Sequence, residues 1–280
     1  VTPWWQGRMV GFDLETTSPL PEEARIVSAA IVLCGGGKPT KTLTLLADPG
    51  VEIPEEAAAV HGITTEIARR DGRPAGEVVE AILGALGPPL RAGLPLVVFN
   101  ARYDLTVAHR EARRHGLEPL VIGDQVVDPH VADKWLDRYR KSYPYGVSPE
   151  QAAARGIMST RTLEGMCVVY GAVLDGAHDA AFDAVAAVRI AYRMGQRGQV
   201  IRRVRNEEEG RELAMLRREW ETVRNDLGLL HLAQKRWALA ERARFAEYKR
   251  GNGELEDADR IEAERGWPVL DVMAHEEVAA

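Results

Sequence analysis

The apolar positions of this chain change period along its length, and the changes mark its elements. Met9 to Leu14 is a short run of strand formers that ends at Thr16-Thr17-Ser18-Pro19. Arg25 to Cys34 is a second run, closed by Gly35-Gly36-Gly37. Thr40 to Ala47 puts Thr42 and Thr44 on one face and Leu43 and Leu45 on the other, and Asp48-Pro49-Gly50 then turns the chain. Three strands joined by turns predict an antiparallel meander. Pro54-Glu55-Glu56 opens a short helix, and Gly76 to Leu86 carries Val78, Val79, Ile82, Leu83 and Leu86 at helical spacing. Pro95 to Asn100 reads as a buried strand, Tyr103 to His115 as a helix stopped at Gly116, and Val121 to Asp128 contains another strand. Thr162 to Tyr170 and Ala180 to Met194 are helical in pattern. The order βββ-α-β-α-β-α-α predicts an α/β domain with a mixed sheet.

After Gly195 the pattern becomes purely helical. Leu213, Leu216, Trp220, Val223 and Leu227 recur at spacings of 3, 4, 3 and 4, and Trp237, Phe245 and Tyr248 mark a second helical face. Gly228 lies near a break between the two helices, and Gly251-Asn252-Gly253 ends the second. Two heptads are too few for a coiled coil, so the stripe reads as packing onto the main domain. The expected division is a catalytic domain over 8–195 and a helical extension with an acidic tail over 196–280.

Composition narrows the class. The 280 residues are 45% hydrophobic and 28% charged, values of an ordinary globular chain. No apolar run reaches membrane length, and no basic segment followed by an apolar one opens the chain, so no membrane partner and a cytoplasmic location are expected. Two cysteines, Cys34 and Cys167, lack metal-ligand spacing and read as buried free thiols. The net charge of −6 argues against binding nucleic acid by bulk electrostatics, but the charge is uneven. Residues 196–251 hold 14 basic and 9 acidic side chains, whereas residues 252–280 hold 2 and 9. A solvated helix face and a phosphate footprint both account for the basic segment.

Three short elements carry candidate chemistry. Asp13 and Glu15 stand two apart at the end of the first strand, so their carboxylates share a face while Phe12 and Leu14 point into the core. Two adjacent anions are costly unless a cation lies between them. Asn100-Ala101-Arg102-Tyr103-Asp104 follows a strand directly, where ligands of open α/β sheets gather, although Asn100 or Asp104 could equally cap the helix. His178-Asp179-Ala180-Ala181-Phe182-Asp183-Ala184 places a histidine on a loop and an aspartate in the first turns of an alanine-rich helix. A loop histidine can accept a proton near neutral pH.

In this order the three elements resemble the DEDDh group of DnaQ-like 3′→5′ exonucleases. Phe12-Asp13-Leu14-Glu15-Thr16-Thr17 matches the first motif, Asn100 to Asp104 the second with Tyr103 in place of Phe, and His178 to Ala184 the third. Val60-His61-Gly62-Ile63-Thr64 resembles the loop that holds the terminal nucleotide, and Thr162 to Gly171 the helix before the third motif. Ser18 stands where many members have Gly. The resemblance covers about residues 8–195. It implies an RNase H-like mixed sheet flanked by helices, and hydrolysis of phosphodiester bonds from a 3′ end with release of 5′-mononucleotides. It also implies two divalent metal ions, Mg²⁺ or Mn²⁺, suited to carboxylates. By resemblance Asp13 bridges both ions, Glu15 and Asp183 serve one, Asp104 serves the other, and His178 takes the proton from water. Thr16, His61, Ile63 and Asn100 are the expected substrate contacts.

The expected partner is the 3′ end of DNA, single-stranded or frayed, because the motif spellings resemble a proofreading subunit. RNA is the alternative substrate, since that choice rests on contacts to the 2′-hydroxyl. A catalytically silent nucleic-acid-binding module is the other reading, and the complete set of four acids and a histidine disfavours it. No clamp-binding motif supports a polymerase partner, and the oligomeric state is left open. Arg138-Tyr139-Arg140-Lys141-Ser142-Tyr143-Pro144-Tyr145 interleaves cations with aromatics, which suits either strand contact or a surface loop.

Overall fold

Alternation along the first strand sorts the chain into two layers around one sheet. In the computed structural model, which describes residues 2–138, 140–144, 146–176, 178–197, 206–264 and 266–270, strand β1 (Arg8–Thr16) sends Val10, Phe12 and Leu14 into one core and Met9 into another. Gly11, Asp13 and Glu15 share the face of Met9. Strand β2 (Ile26–Gly35) pairs antiparallel with β1, and β3 (Lys41–Asp48) antiparallel with β2, which is the expected meander. Helices α1 (Glu55–His61) and α2 (Thr65–Asp71) and the two-residue strand β4 (Arg73–Pro74) follow. Then come α3 (Ala75–Arg91), β5 (Leu96–Val97), α4 (Ala101–Arg114), β6 (Val126–Val127) and α5 (Pro129–Leu136). The sheet order is β4-β3-β2-β1-β5-β6, with β5 and β6 parallel to β1. This is the mixed α/β sheet flanked by helices that the pattern predicts.

Helices α3 and α4 cover one face through Val78, Ile82, Leu86 and Leu105. The other face is covered by α7 (Leu163–Tyr170) and α8 (Ala180–Gln196), after the short α6 (Pro149–Ala154). Small residues let α8 come close. A Cβ placed on Gly11 would lie 2.7 Å from the Ala184 carbonyl oxygen and 2.9 Å from Val188 Cγ2. Ala180 and Ala184 pack on Ala30 and Val32 of β2 in the same layer.

The extension forms α9 (Glu207–Val223), α10 (Leu227–Gly251) and α11 (Leu255–Ala263). Its apolar stripe docks on the main domain: Trp220, Val223, Leu230 and Trp237 share a buried cluster with Val97, Leu136 and Met166. The N-terminal turn joins it, where the Trp4 indole donates to the Arg224 carbonyl at 2.7 Å. Polar side chains of α10 also cover the edge strand β6. Gln234 Oε1 accepts from Asp128 N at 2.7 Å, its amide donates to the Val126 carbonyl at 2.9 Å, and His231 Nδ1 accepts from Val126 N at 3.2 Å. Gln234 is fully buried, so it replaces the strand that an open sheet edge would recruit.

Several elements differ from the pattern reading. The strand expected over Pro95–Asn100 is regular only at Leu96–Val97, with its inter-strand hydrogen bonds running from Pro95 to Val98, because Asn100 already adopts a left-handed conformation (φ 61°) to start α4. The break between α9 and α10 does fall near Gly228, at residues 224–226, with Asp226 as the N-cap and Gly228 in the first turn of α10. Phe245 and Tyr248 do not share Trp237's buried face but are exposed and stacked, centroids 6.5 Å apart. At 1.5 Å per residue α10 is about 37 Å long, and its last turns lie against α11 instead of the sheet. Helices α2, α5 and α6 have no counterpart in the expected order, although Thr64, Asp128-Pro129 and Ser148-Pro149 are ordinary cap signals. Cys34 is only half-buried; both cysteines are free. No helix among the described residues is long and apolar enough to cross a membrane.

Removing the Gln234 side chain leaves a buried N–H and a buried C=O unpaired, so Gln234→Ala should lower stability by about 2–4 kcal/mol. Urea unfolding reads this as a lower midpoint at unchanged slope. An unchanged midpoint would mean that α10 is not the cover of β6.

Candidate active site

Three carboxylates meet where β1 ends and α8 begins. Oxygens of Asp13, Glu15 and Asp183 lie within 4.8 Å of one another. Asp13 and Glu15 share a face because they are two apart on β1, and the pairing register with β2 shifts between Glu15 and Thr16. Asp183 is brought in by α8, whose first turn is fixed by the Asp179 side chain accepting from Ala181 N at 2.9 Å. Asp104 sits beside the trio, buried on α4, with Oδ1 accepting the Leu14 N–H at 3.0 Å. Of the four expected acids, three therefore face one another directly and the fourth stands against the backbone of the strand that carries two of them.

Such a cluster resists ionisation. Burial first, then the charges of Asp104, Glu15 and Asp183, push the Asp13 carboxyl well up. Glu15 is pushed up to about 7 by burial and by Asp183 and Asp179. Asp183 is pushed up to about 6 by burial, against the Asp183-directed N–H of His178 at 3.2 Å. Asp104 is raised by burial despite the Leu14 N–H. Asp183 Oδ1 is buried without a hydrogen-bond partner. An all-oxygen donor set, crowded and hard to ionise without a counter-charge, with one orphaned oxygen, fits a hard divalent cation.

His178 occupies a left-handed backbone conformation (φ 61°), sparsely populated by residues other than glycine. Its Nε2 lies 3.7 Å from Glu164 Oε1 in the first turn of α7. Glu164 and Asp179 are site residues that the motif reading did not single out; Asp179 stood within the third motif, whereas nothing in sequence joins Glu164 to His178. A cavity of 350 Å³ opens beside the acids, lined by Glu15, His61, Ile63 and His178 among others. In it His61 Nδ1 accepts from Ile63 N at 3.1 Å, while Nε2 is buried without a partner, and burial pushes the imidazole pKa down.

Two further expected contacts, Thr16 and Asn100, are not among the residues lining that cavity. The Thr16 hydroxyl donates to the Ser18 carbonyl at 3.2 Å and is hydrogen-bonded to the Tyr103 hydroxyl, so it braces the strand end. Asn100 lines a separate cavity, with its N–H donated to Asp128 Oδ1 at 3.1 Å. The arginines of the 138–145 segment serve the fold: Arg138 pairs with Glu212, and Arg140 with Asp133 and Asp137. Tyr139 and Tyr145 lie outside the described residues, as do the arginines at 202, 203 and 205 of the basic segment.

The RNase_T exonuclease family model matches residues 10–191. An uncharacterized exonuclease CP81 of Escherichia phage 186 is 31% identical over 115 residues, which are 41% of this chain and 54% of that protein. Exonuclease I from Methylocaldum szegediense superposes with a TM-score of 0.54 at 21% identity, over 85% of this chain and 45% of its own. E. coli exonuclease I in complex with a dA16 oligonucleotide gives 0.53 at 17%, over 75% and 43%. The chain thus spans about half the length of these relatives, and the two structural likenesses speak for the fold.

The raised carboxyls set a pH dependence. Below the ordinary carboxylate range, about 4, they are neutral in both folded and unfolded chains. As pH rises through about 6 for Asp183 and about 7 for Glu15 the folded state must ionise them at a cost, so their contribution to stability is lost. His130, pushed down to about 3 mainly by burial, titrates with the opposite sign, so the readout is a difference between proteins. In a chelator, Glu15→Gln should match wild type in Tm at pH 5 and exceed it by pH 8, with added Mg²⁺ or Mn²⁺ closing the gap. A gap that is flat with pH would refute the crowding.

Proposed function

Since the chain belongs to the RNase_T exonuclease family, within the DnaQ-like superfamily, we propose that it is a metal-dependent 3′→5′ exonuclease acting on single-stranded DNA and releasing 5′-mononucleotides. The observation that carries this reading is the trio Asp13, Glu15 and Asp183 within 4.8 Å, beside Asp104 and next to a cavity that holds His61, Ile63 and His178. Asp13, Glu15 and Asp183 would hold divalent ions, with Asp104 supporting them. When bound, two such ions would supply positive charge for the attacking and leaving oxygens of a displaced phosphate.

The protein's own residues do the rest. His178 stands at the rim of the acids on a loop, with one ring nitrogen towards Glu164. Glu164 steadies that ring, which leaves the other nitrogen to accept the proton of the attacking water. His61 and Ile63 form the wall against which the terminal nucleoside rests, with His61 Nε2 turned towards the backbone of Thr16 at the end of β1. The Thr16–Tyr103–Ser18 cluster holds the end of β1 still while this happens. E. coli exonuclease I is recorded with a DNA oligonucleotide, which supports DNA as the substrate class.

Hydrolysis of a 5′-labelled oligodeoxynucleotide tests the reading. With Mg²⁺ or Mn²⁺ the product ladder should shorten from the 3′ end, and Asp13→Asn should abolish it while the protein stays folded. His178→Ala should lower kcat by about 10²–10⁴-fold with little change in KM, and added imidazole should restore part of it. Shortening from the 5′ end, or full turnover in Asp13→Asn, would overturn the assignment.

A further inference from the structure

On the far side of α4 from the acids lies a 270 Å³ cavity whose walls include Asn100, Arg102, Asp128, Lys134, Phe245 and Trp267. It is built jointly by the main domain and the extension. Two of its donors have no acceptor. Arg102 makes no hydrogen bond or ion pair among the described residues, although Glu264, Asp128 and Glu241 attract it from beyond contact, and its Nη1 is buried without an acceptor. Trp267 is 4% exposed, and its indole Nε1 is likewise unpaired. The nearby acids are already taken: Lys134 pairs with Glu241 at 3.1 Å, Arg242 pairs with Glu264 at 2.5 Å, and Asp128 accepts four backbone N–H groups. Guanidinium and indole N–H groups only donate, so the missing ligand must offer acceptor oxygens.

A second cavity of 600 Å³ shares His130, Lys134 and Glu241 with the first and continues over Arg138, Arg161 and Arg244. Arg244 lies over the Trp135 ring, 5.3 Å from its centroid, and has no ion pair among the described residues. The field here is positive: Lys134, Arg161 and Arg140 add to burial in keeping the His130 imidazole uncharged. That ring stacks on Phe99, centroids 5.0 Å apart. Arg102 and Arg244, neither in an ion pair among the described residues, supply the positive charge that tracks the backbone of a single strand, although the rings beside them are already stacked on one another. Arg102 and Asp104 lie in the same first turn of α4 and, two residues apart, leave it on opposite sides, so the groove and the acids flank one helix start.

We propose that this groove, closed by α10 and residues 266–270, binds the phosphate backbone of the single strand leading away from the cleaved end, with Arg102 and Trp267 as its first phosphate contact. The proposal rests on the exonuclease reading for the direction of the strand, not for the groove. The test is binding of labelled oligodeoxythymidylates and oligouridylates of 2 to 16 nucleotides to the full chain, carrying Asp13→Asn to prevent hydrolysis, with Mg²⁺ present. Affinity should rise with length. Added Arg102→Glu should weaken the 16-mer by about tenfold or more at low salt and flatten the salt dependence by roughly 0.7 in log–log slope, one single-strand phosphate contact. Arg102→Lys should recover most of the loss, and Trp267→Phe, which removes only the indole N–H, should show a smaller loss of the same sign. The tighter series identifies the sugar. Unchanged 16-mer binding in Arg102→Glu, equal losses for 2-mer and 16-mer, or no length dependence in the parent would overturn the groove. Wild-type hydrolysis separates the two readings: cleavage with Arg102-independent binding sinks the groove alone, whereas Arg102-dependent binding without cleavage sinks the exonuclease alone.

Discussion

The site depends on how closely α8 approaches β1. At Gly11 the two elements touch backbone to backbone, and a single methyl group there would fall 2.7 Å from the Ala184 carbonyl. Asp183 immediately precedes Ala184, and Asp13 lies two residues beyond Gly11 on the same face, so this one contact sets the separation of the acids. The alanines of α8 serve the same approach, since each larger side chain on that face would lift the helix off the sheet. A helix held an ångström further out would keep the fold and lose the cluster.

That approach creates an electrostatic cost that the rest of the molecule must offset. Asp13, Glu15, Asp104 and Asp183 are all harder to ionise than free carboxyls, for the shared reason of burial among like charges. Backbone donors relieve part of it: Leu14 N–H serves Asp104, and His178 N–H serves Asp183. The second of these bonds depends on the left-handed turn at His178, so local strain and charge relief occur in the same residue. A cation between these carboxylates would remove the remaining repulsion, so energetics and geometry favour the same ligand.

Much of this was legible in sequence where one period or one motif decides the outcome. The β1–β2–β3 meander followed from runs bounded by Thr-Thr-Ser-Pro, a triple glycine and Asp-Pro-Gly, and the facing pair Asp13 and Glu15 from strand alternation. Joining Asp104 and Asp183 to Asp13 needed the family resemblance, because nothing in local pattern relates residues 91 and 170 positions away. Glu164 beside His178 was out of reach for the same reason. The capped helices α2, α5 and α6 are too short to show a hydrophobic period, so only their caps announced them. Asn100 shows what a motif does not give: its position was recognised, whereas the left-handed turn that starts α4 there, and the cavity it borders on the α10 side, are tertiary facts.

The extension reaches the acids through a line of buried hydrogen bonds. Gln234 on α10 accepts the Asp128 N–H; Asp128 in turn accepts the Asn100 and Ala101 N–H groups that begin α4. One turn later Asp104 accepts the Leu14 N–H, between the two acids of β1. Asp128 is fully buried and spends both oxygens on backbone donors, so it cannot relax towards water if α10 moves. Each link fixes a backbone group, and backbone groups set where the following side chains stand. The helices after residue 206 are therefore part of the frame that places Asp104, and the groove they close lies against the same first turn of α4.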